Sequence, residues 1–237
     1  MAGHSKWANI KHRKGAQDAK RAKLFTVAAK AITLAAQHGG GDPEMNASLK
    51  MAIEKARAIN MPKDNIARAI ARGTGEGGDG ARIEEVVYEA MGPGGSAFVI
   101  VCATDNTNRT LTDVKTALKK NGGKFVSGGG VLFQFSHVGQ LAVTADDTER
   151  IELAAIESGA QDIEMEGETM IVTTAVSDLH RVREALEAEG ATVVDARIAY
   201  VPTQETVLND ADAAAYEKLR AAIEDCDDVQ EVFTTVS

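Results

Sequence analysis

The sequence has few cysteines and aromatic residues, and it has no long apolar segment. Its two cysteines, Cys102 and Cys226, are too few for a disulfide framework, and without a CxxC pair they make a structural zinc site unfavourable. The sequence contains no run of 18 apolar residues, so it predicts no membrane span. The basic residues at the N-terminus are not followed by the apolar stretch that a secretory signal requires. Because aromatics are only 4% of the residues, the cores must consist mainly of Ala, Val, Ile and Leu. These features favour a protein of the reducing cytoplasm.

Motifs of enzymes and nucleotide-binding proteins are also missing. The GTGEGG segment at 73–78 has the glycine spacing of a dinucleotide loop, but a predicted helix precedes it and Glu76 would repel a pyrophosphate. The sequence contains neither a Walker A loop nor a GxSxG elbow. The five histidines do not converge, and no general acid–base pair emerges. We therefore expect no catalytic residues, no cofactor and no metal.

The charge is distributed unevenly along the 237 residues. Residues 1–75 contain 14 Lys and Arg against 5 Asp and Glu, which gives a net charge of +9. The rest of the chain has a net charge of −18, so the overall value of −9 conceals two opposite parts. A segment with eight basic residues and one acid in its first 30 positions indicates an anionic partner, and nucleic acid fits this clustered charge best.

The N-terminal third is predicted to be helical. Residues 1–16 resemble a basic arm, and residues 17–37 have apolar residues, Leu24 among them, at helical spacing. A second helix is predicted from an N-cap at Asn46 to Ile59, and a third follows Pro62 and ends with Gly73 as its C′ residue. Residues 1–74 are therefore predicted to form a small basic three-helix bundle.

Strands alternating with helices are predicted beyond a glycine-rich linker at 75–82. Residues 137–201 have the order βαββαβ of a ferredoxin-like domain. Residues 83–136 and 202–237 supply the remaining strands, including an alternating run at 131–135. The prediction is an α+β protein in which a basic helical bundle precedes two small α/β, ferredoxin-like domains, with the third domain inserted into the second.

The inserted βαββαβ segment has the element order of an RNA-recognition module, but its composition argues against that role. Such modules stack bases on aromatic residues of the two central strands. The predicted central strands, 140–144 and 169–174, have no aromatic residue, and residues 137–201 have a net charge of −10. A surface that faces a protein partner or a second copy of the chain is the better interpretation.

The basic N-terminal segment provides the candidate nucleic-acid contacts. Its Lys and Arg side chains suit phosphate contacts, and Trp7 and His12 suit base or sugar contacts. Trp7 has an equally good alternative role as an apolar residue of the bundle core. The predicted contact residues are Lys6, Trp7, Lys11, His12, Arg13, Lys14, Lys20, Arg21, Lys23 and Lys30.

Two further segments have weaker signals. Residues 105–110 lie between a strand and a helix, where the polar side chains would bind an anion or, more simply, cap the helix through Thr107 or Asn108. The following helix suggests a second basic patch, with a solvated helix face as the alternative. The acidic cluster of residues 224–228 around Cys226 reads as a solvated turn, with a metal site as the less favoured alternative. The residues of the second basic patch are Arg109, Lys115, Lys119, Lys120 and Lys124.

Six segments together carry a resemblance to a known family. They are residues 1–26 (MAGHSKWANIKHRKGAQDAKRAKLFT), 39–43 (GGGDP), 60–73 (NMPKDNIARAIARG), 88–95 (YEAMGPGG), 104–110 (TDNTNRT) and 224–233 (EDCDDVQEVF). They resemble the YebC/PmpR family over nearly the whole chain. The resemblance implies a three-domain fold and a cytoplasmic DNA-binding transcriptional regulator with no enzymatic activity. Mitochondrial relatives are translational activators, and bacterial members have been tied to ribosome function.

The chain departs from the family pattern at a few positions. Val27 stands where the family often has Lys, and Lys30-Ala31 stands where it often has Arg-Glu, so the first helix is less basic here. Gly130 replaces a serine before the Phe-containing segment, so no role of that hydroxyl transfers. The sequence therefore predicts a nonenzymatic regulator that binds DNA phosphates. An rRNA-associated translation factor is the alternative, because phosphate contacts alone do not identify the nucleic acid. An enzyme or metabolite sensor built on the ferredoxin-like domain is the least favoured, because the sequence offers no convergent polar site for it.

Overall fold

The computed structural model describes residues 4–76 and 82–236, with side chains described in 21–76 and 82–236. The chain forms two compact units. One unit contains the chain up to Val87 together with Val101–Ala117 and Arg220–Glu231, and the other contains Tyr88–Ile100, Leu118–Leu219 and the chain from Val232 onward. None of the helices in the described residues combines the length and the hydropathy that a membrane span requires. The predicted linker at 75–82 includes residues 77–81, which lie outside the described residues.

Three helices form the N-terminal bundle: α1 (His4–Gly39), α2 (Ala47–Ala58) and α3 (Lys63–Thr74). The predicted N-cap is confirmed, because Asn46 accepts a hydrogen bond from the Leu49 amide. The Asn46 side-chain amide also donates to the carbonyls of Ala35 and Gly40, which links the end of α1 to the start of α2. Small and branched side chains from all three helices and the turn before α3 form the core: Ile32, Ala36, Leu49, Ile53, Ala56, Met61, Ile66 and Ala69.

The structure corrects three predictions about this bundle. From His4 onward, the segment predicted as a basic arm is the first part of α1, in keeping with the high helix propensity of its Ala, Lys, Arg and Gln residues. Leu24, predicted to be in the apolar stripe, is exposed. Gly73 lies inside α3 rather than at C′, and the left-handed cap is Gly75. The reason is close packing, since a Cβ on Gly73 would lie 2.5 Å from the Thr33 carbonyl oxygen of α1.

Residues 82–236 form eight strands and four α-helices. In chain order they are β1 (Glu84–Met91), β2 (Ala97–Thr104), α4 (Thr107–Lys120), β3 (Lys124–Val126), β4 (Phe135–Thr144), α5 (Thr148–Ser158), β5 (Ala160–Glu166), β6 (Thr169–Thr174), α6 (Leu179–Ala188), β7 (Thr192–Pro202), α7 (Asp210–Glu224) and β8 (Val229–Thr234). The first sheet has the order β3-β1-β2-β8 and the second has the order β5-β6-β4-β7. The predicted α+β class, with one sheet inserted into the sequence of the other, is confirmed.

The second sheet has the strand order of a ferredoxin-like domain, with β4 and β6 at its centre. Both central strands pair antiparallel, with Leu141 opposite Val172. These side chains are buried along with Ile151 of α5 and Val182 of α6. The structure corrects one detail: β4 begins at Phe135 rather than at residue 140, so a central strand does contain an aromatic residue. Phe135 is buried, however, and offers no surface for stacking a base.

A buried carboxylate shapes the glycine-rich loop before β4. Glu89 of β1 accepts hydrogen bonds from the backbone amides of Gly129, Val131 and Leu132 at 2.5–2.9 Å. Burial alone would raise the pKa of the Glu89 carboxyl, but these hydrogen bonds outweigh it and hold the pKa below its usual value. The strand predicted at 131–135 is consequently wrong, because Leu132–Gln134 forms a 3-10 turn and Phe133 is 74% exposed.

Candidate nucleic-acid interface

Seven of the predicted contact residues lie on the first half of α1. Since the backbone is helical from His4, positions 6, 13 and 20 are spaced at seven residues and share one side of the helix. The side chains of all seven residues lie outside the described residues, and their phosphate and base contacts stay predictions: Lys6, Trp7, Lys11, His12, Arg13, Lys14 and Lys20.

The three other predicted contacts on α1 have described side chains and different environments. Arg21 is exposed, and its guanidinium lies over the Phe25 ring at 5.3 Å from the centroid. Lys23 donates to the Glu224 carbonyl and lies 3.8 Å from the Asp225 carboxylate. Lys30 donates to the Asp227 carbonyl at 3.0 Å and forms an ion pair with Asp228. Two cations of α1 are thus bound to the acidic turn after α7.

Asp228 is the centre of a polar network that joins three distant segments of the chain. Its carboxylate accepts hydrogen bonds from Lys30 of α1 and from Thr110 of α4 at 2.6 Å. Thr104, at the end of β2, donates to it at 3.2 Å, and Arg109 forms an ion pair with it at 3.1 Å. The Asp228 backbone carbonyl also accepts from the Ala103 amide. We call these residues (Lys30, Thr104, Arg109, Thr110 and Asp228) the Asp228 network.

The network keeps Asp228 ionised. Burial would raise the pKa of its carboxyl, but hydrogen bonds from Lys30, Thr110 and Arg109 outweigh burial and lower the pKa to about 2. The residue is only 5% exposed. The solvated-turn interpretation of residues 224–228 is therefore wrong for Asp228. Its metal alternative gains no support, since the described residues contain no group of three or more His, Cys, Asp or Glu that could hold a metal ion.

The segment before α4 caps its helix, as the simpler interpretation predicted, although a different residue does so. The Asn106 side chain accepts from the Arg109 amide at 3.0 Å, and the Asn106 carbonyl accepts from the Thr110 amide. Thr107 and Asn108, which were expected to cap, are the first two residues of α4. The segment caps the helix as predicted, but the capping residue is Asn106, which precedes Thr107.

The predicted second basic patch does not behave as one group. Arg109 binds Asp105 at 3.0 Å as well as Asp228, and the side-chain hydrogen bond from Arg109 is the main reason that the pKa of Asp105 is lowered. The other four residues are exposed: Lys115, Lys119, Lys120 and Lys124. Lys115 and Lys119 lie one turn apart on α4 and share a side of the helix, whereas Arg109 lies on another side. Their role in binding stays a prediction.

A groove of about 380 Å3 separates α1 from α3 on one side of the bundle. The helices touch where Thr33 donates to the Ala69 carbonyl at 3.0 Å, and Gly73 permits this close approach. Among the residues that the structure describes, three cations and no carboxylate line the groove. The lining residues are Phe25, Thr26, Ala29, Lys30, Thr33, Met61, Asn65, Arg68, Ala69, Arg72 and Ile83.

Sequence reasoning missed Arg68, Arg72 and the threonines of the Asp228 network. The spacing of Arg68 four residues after Asp64 favours an i,i+4 ion pair, but its described hydrogen bonds go to the Asp64 carbonyl and the Asn65 side chain. A usable signal was present for the arginines, because positions 65, 68, 69 and 72 fall on one side of a helix. No local signal joins Thr104 and Thr110 to Asp228, which is more than 100 residues away.

Comparison with known protein families gives a match over almost the entire chain. Residues 5–76 match the family profile described as the TACO1/YebC protein N-terminal domain. Residues 83–236 match the profile described as the TACO1/YebC second and third domain. The boundary between the two matches falls in the glycine-rich segment after α3.

Relatives of known sequence and structure match over similar lengths. A protein of Bordetella petrii named a probable transcriptional regulatory protein is 50% identical over 238 residues, covering 100% of this chain and 98% of the relative. A Caldanaerobacter subterraneus protein of the same name is 46% identical over 240 residues, covering 100% of this chain and 98% of the relative. The crystal structure of a conserved hypothetical protein from Aquifex aeolicus has a TM-score of 0.82 and 38% identity, and the match covers 93% of this chain and 91% of that one.

Proposed function

The chain belongs to the TACO1/YebC family, and from this we propose that it is a nonenzymatic regulator that binds nucleic acid through α1. The relatives' shared name supports a regulator at the level of the family. The observation that carries the proposal is the net charge of +9 in residues 1–75 against −18 in the remainder. The long helix α1 places eight cations in one segment, and such clustered charge attracts the phosphates of a nucleic-acid backbone.

The described part of α1 narrows the set of proposed phosphate contacts. Lys23 and Lys30 are engaged with the acidic turn, and Lys30 is part of the Asp228 network. A cation that already neutralises a carboxylate releases fewer counterions when a phosphate approaches, so it contributes less affinity. We therefore assign the phosphate contacts chiefly to the cations that precede Lys23 on α1, and we assign Lys30 a structural role.

The groups with shifted pKa values support the proposal of a nonenzymatic role. Perturbed carboxyls mark active sites when they line a cleft, but ion-pair networks shift pKa values as well. Here Glu89 is used in holding a loop, and Asp105 and Asp228 are used in joining segments. Each of these carboxylates is thus occupied by contacts within the fold.

Charge reversal on α1 tests the proposed interface. A variant with Lys11→Glu, Arg13→Glu and Lys14→Glu should lose measurable binding to a duplex in fluorescence anisotropy, because each reversal adds repulsion to a lost phosphate contact. The matched control reverses Lys50, Arg57 and Lys63, which are exposed on α2 and α3. It makes the same change in net charge and should retain most of the affinity. Unchanged binding in the first variant, or equal losses in both, contradicts the proposed interface.

Duplex DNA is the proposed target, and ribosomal RNA is the alternative target. Phosphate contacts do not distinguish the two nucleic acids, so the target must be identified in living cells. Ultraviolet crosslinking, with both DNA and RNA recovered and sequenced, should enrich promoter DNA if the protein regulates transcription. Clustered crosslinks on ribosomal RNA would instead identify a translation factor.

The acidic remainder of the chain is proposed to face a protein partner or a second copy, since its charge repels nucleic acid.

A further inference from the structure

The groove between α1 and α3 has the size and lining of a small-ligand site. Its volume of about 380 Å3 lies within the range of roughly 300–1,000 Å3 that is usual for ligand pockets. One wall comes from residues 25–33 of α1 and the other from residues 65–72 of α3. Both walls are regular helices, and their contact at Thr33 and Ala69 fixes the distance between them. The two long walls of the groove are thus regular helices, and Met61 and Ile83, from segments outside the helices, complete the lining.

Arg68 gives the groove its available positive charge. Lys30 is paired with Asp228, and Arg72 lies 3.5 Å from Asp105 in a pair that is more than one-third exposed on both sides. Arg68 is exposed, and its described hydrogen bonds go to uncharged oxygens, namely the Asp64 carbonyl and the Asn65 side chain. A guanidinium in this state is well suited to a phosphate, which it binds through two parallel hydrogen bonds. Because the ion pair between Arg72 and Asp105 is weak, the Arg72 guanidinium can also bind the phosphate.

The rest of the lining suits a planar ring. Phe25 is half-buried on the α1 wall, and Met61, a buried residue of the bundle core, also lines the groove. Arg21 lies over the Phe25 ring, so the aromatic residue already takes part in a cation–π contact. The Asn65 side chain and the Thr26 hydroxyl supply donors and acceptors on the same lining. Cations, an aromatic ring and neutral polar groups within one groove are the combination used to hold single nucleotides.

We infer that the groove between α1 and α3 binds a nucleoside phosphate, with Arg68 on the phosphate and Phe25 beside the base. The ligand is either a free nucleotide or one nucleotide of a bound strand. The second source rests on the proposed function, and the first does not. The site is distinct from the predicted phosphate contacts at Lys11, Arg13 and Lys14, which precede the groove residues on α1 by more than two helical turns.

The test uses the full chain and compares a nucleotide with its parts. In an NMR chemical-shift titration, adenosine 5′-monophosphate should bind at least about tenfold more tightly than adenosine or inorganic phosphate alone. Arg68→Gln should weaken binding of the monophosphate about tenfold and leave adenosine unchanged. Phe25→Leu, which keeps an apolar side chain against the core, should weaken both. Arg57→Gln removes an exposed arginine of α2 outside the groove, so it should change neither affinity.

A fluorescent single strand of about ten nucleotides then distinguishes the two sources. If Arg68→Gln weakens binding of both the strand and the monophosphate, the groove holds one nucleotide of the strand. If only the monophosphate is affected, the groove is a site for a free nucleotide. The inference is overturned if the monophosphate shows no saturable shifts, if Arg68→Gln has no effect, or if an oligoglutamate peptide competes equally well. The charge reversal at Lys11, Arg13 and Lys14 should leave monophosphate affinity intact, so failure of the interface on α1 is recognised separately.

Discussion

At the scale of the residue, Asp228 shows that the role of a side chain can depend on distant parts of the chain. It was expected to be one member of a solvated acidic cluster, and it is instead a buried carboxylate with partners from α1, β2 and α4. Its neighbours Asp225 and Asp227 are exposed, as expected of a turn. Adjacent residues of one acidic run thus differ in role according to whether the folded chain brings cations to them.

Replacing this carboxylate should destabilise the protein strongly. Asp228→Asn keeps the shape of the side chain but removes the charge, which leaves Lys30 without its ion pair in a site where its side chain is only 17% exposed. The free energy of unfolding should fall by about 3 kcal/mol, the lower end of the cost of breaking a buried ion pair, because Arg109 remains half exposed. Urea denaturation followed by circular dichroism measures this change. The control Asp227→Asn, at an exposed position, should change stability by less than about 0.5 kcal/mol; equal effects of the two substitutions would contradict the Asp228 network.

The same carboxylate predicts a dependence of stability on pH. The pKa of Asp228 is about 2 in the folded protein, below the ordinary value of 3.8. A group whose folded pKa is lowered stabilises the protein above its unfolded pKa and loses that contribution as the pH falls through the folded pKa. The contribution, about 2 kcal/mol, should therefore be complete above about pH 4 and lost toward pH 2. Denaturation curves of the wild type and Asp228→Asn should converge over this interval, and a constant difference between them would refute the assignment.

At the scale of the element, helical periodicity predicted the bundle well but could not place the helices against each other. Ile32 of α1 and Leu49 and Ile53 of α2 are buried in the core of the bundle. Gly73 shows what periodicity leaves out. A glycine near the end of a helix usually marks C′, yet here it lies where α3 meets Thr33 and Ala36 of α1. Only a contact across 40 residues of sequence distinguishes these two uses of glycine.

The close approach at Gly73 predicts that Gly73→Ala destabilises the protein, which is the opposite of what helix propensity alone predicts. Alanine is the better helix former by about 1 kcal/mol, so Gly73→Ala would be stabilising on an isolated helix. In the bundle its Cβ would lie 2.5 Å from the Thr33 carbonyl oxygen and 2.6 Å from the Ala36 Cβ, and the helices would have to separate. We expect a net loss of about 1–3 kcal/mol in the free energy of unfolding, as for other overpacked cores. The reverse exchange at an exposed position of α3, Ala67→Gly, measures the propensity contribution alone; a gain in stability for Gly73→Ala would disprove the close contact.

The second part of the chain shows the same limit on prediction from sequence. The βαββαβ order could be predicted because turns bound each strand and apolar residues repeat along α5 and α6. The 3-10 turn at Leu132–Gln134 could not, since the local alternation of Val131, Phe133 and Phe135 is that of a strand. What overrides the alternation is the Glu89 carboxylate, which binds three amides of the loop from 40 residues away. The proposed groove depends likewise on two helices that only the fold brings together.

At the scale of the whole molecule, the opposite charges of residues 1–75 and of the remaining chain should determine how the proposed nucleic-acid binding responds to salt. The cations at the N-terminus attract phosphates, whereas the acidic remainder, with a net charge of −18, repels them over a distance set by screening. Added salt weakens both effects. The weakening of the attraction is the larger of these two changes, because condensed counterions are released from the duplex at each phosphate that a cation contacts.

The logarithm of duplex affinity should therefore fall linearly with the logarithm of salt concentration. If five to seven phosphates are neutralised, the slope should be about −4 to −6. Neutralising Lys11, Arg13 and Lys14 by substitution with Gln should make that slope shallower by about 3, roughly one for each lost phosphate contact. The same substitutions at Lys50, Arg57 and Lys63 change the net charge equally and should leave the slope almost unchanged, since counterion release counts contacts rather than total charge. Anisotropy titrations between about 50 and 200 mM salt measure both slopes. A flat dependence in the wild type would mean that the basic N-terminal segment binds something other than a nucleic-acid backbone.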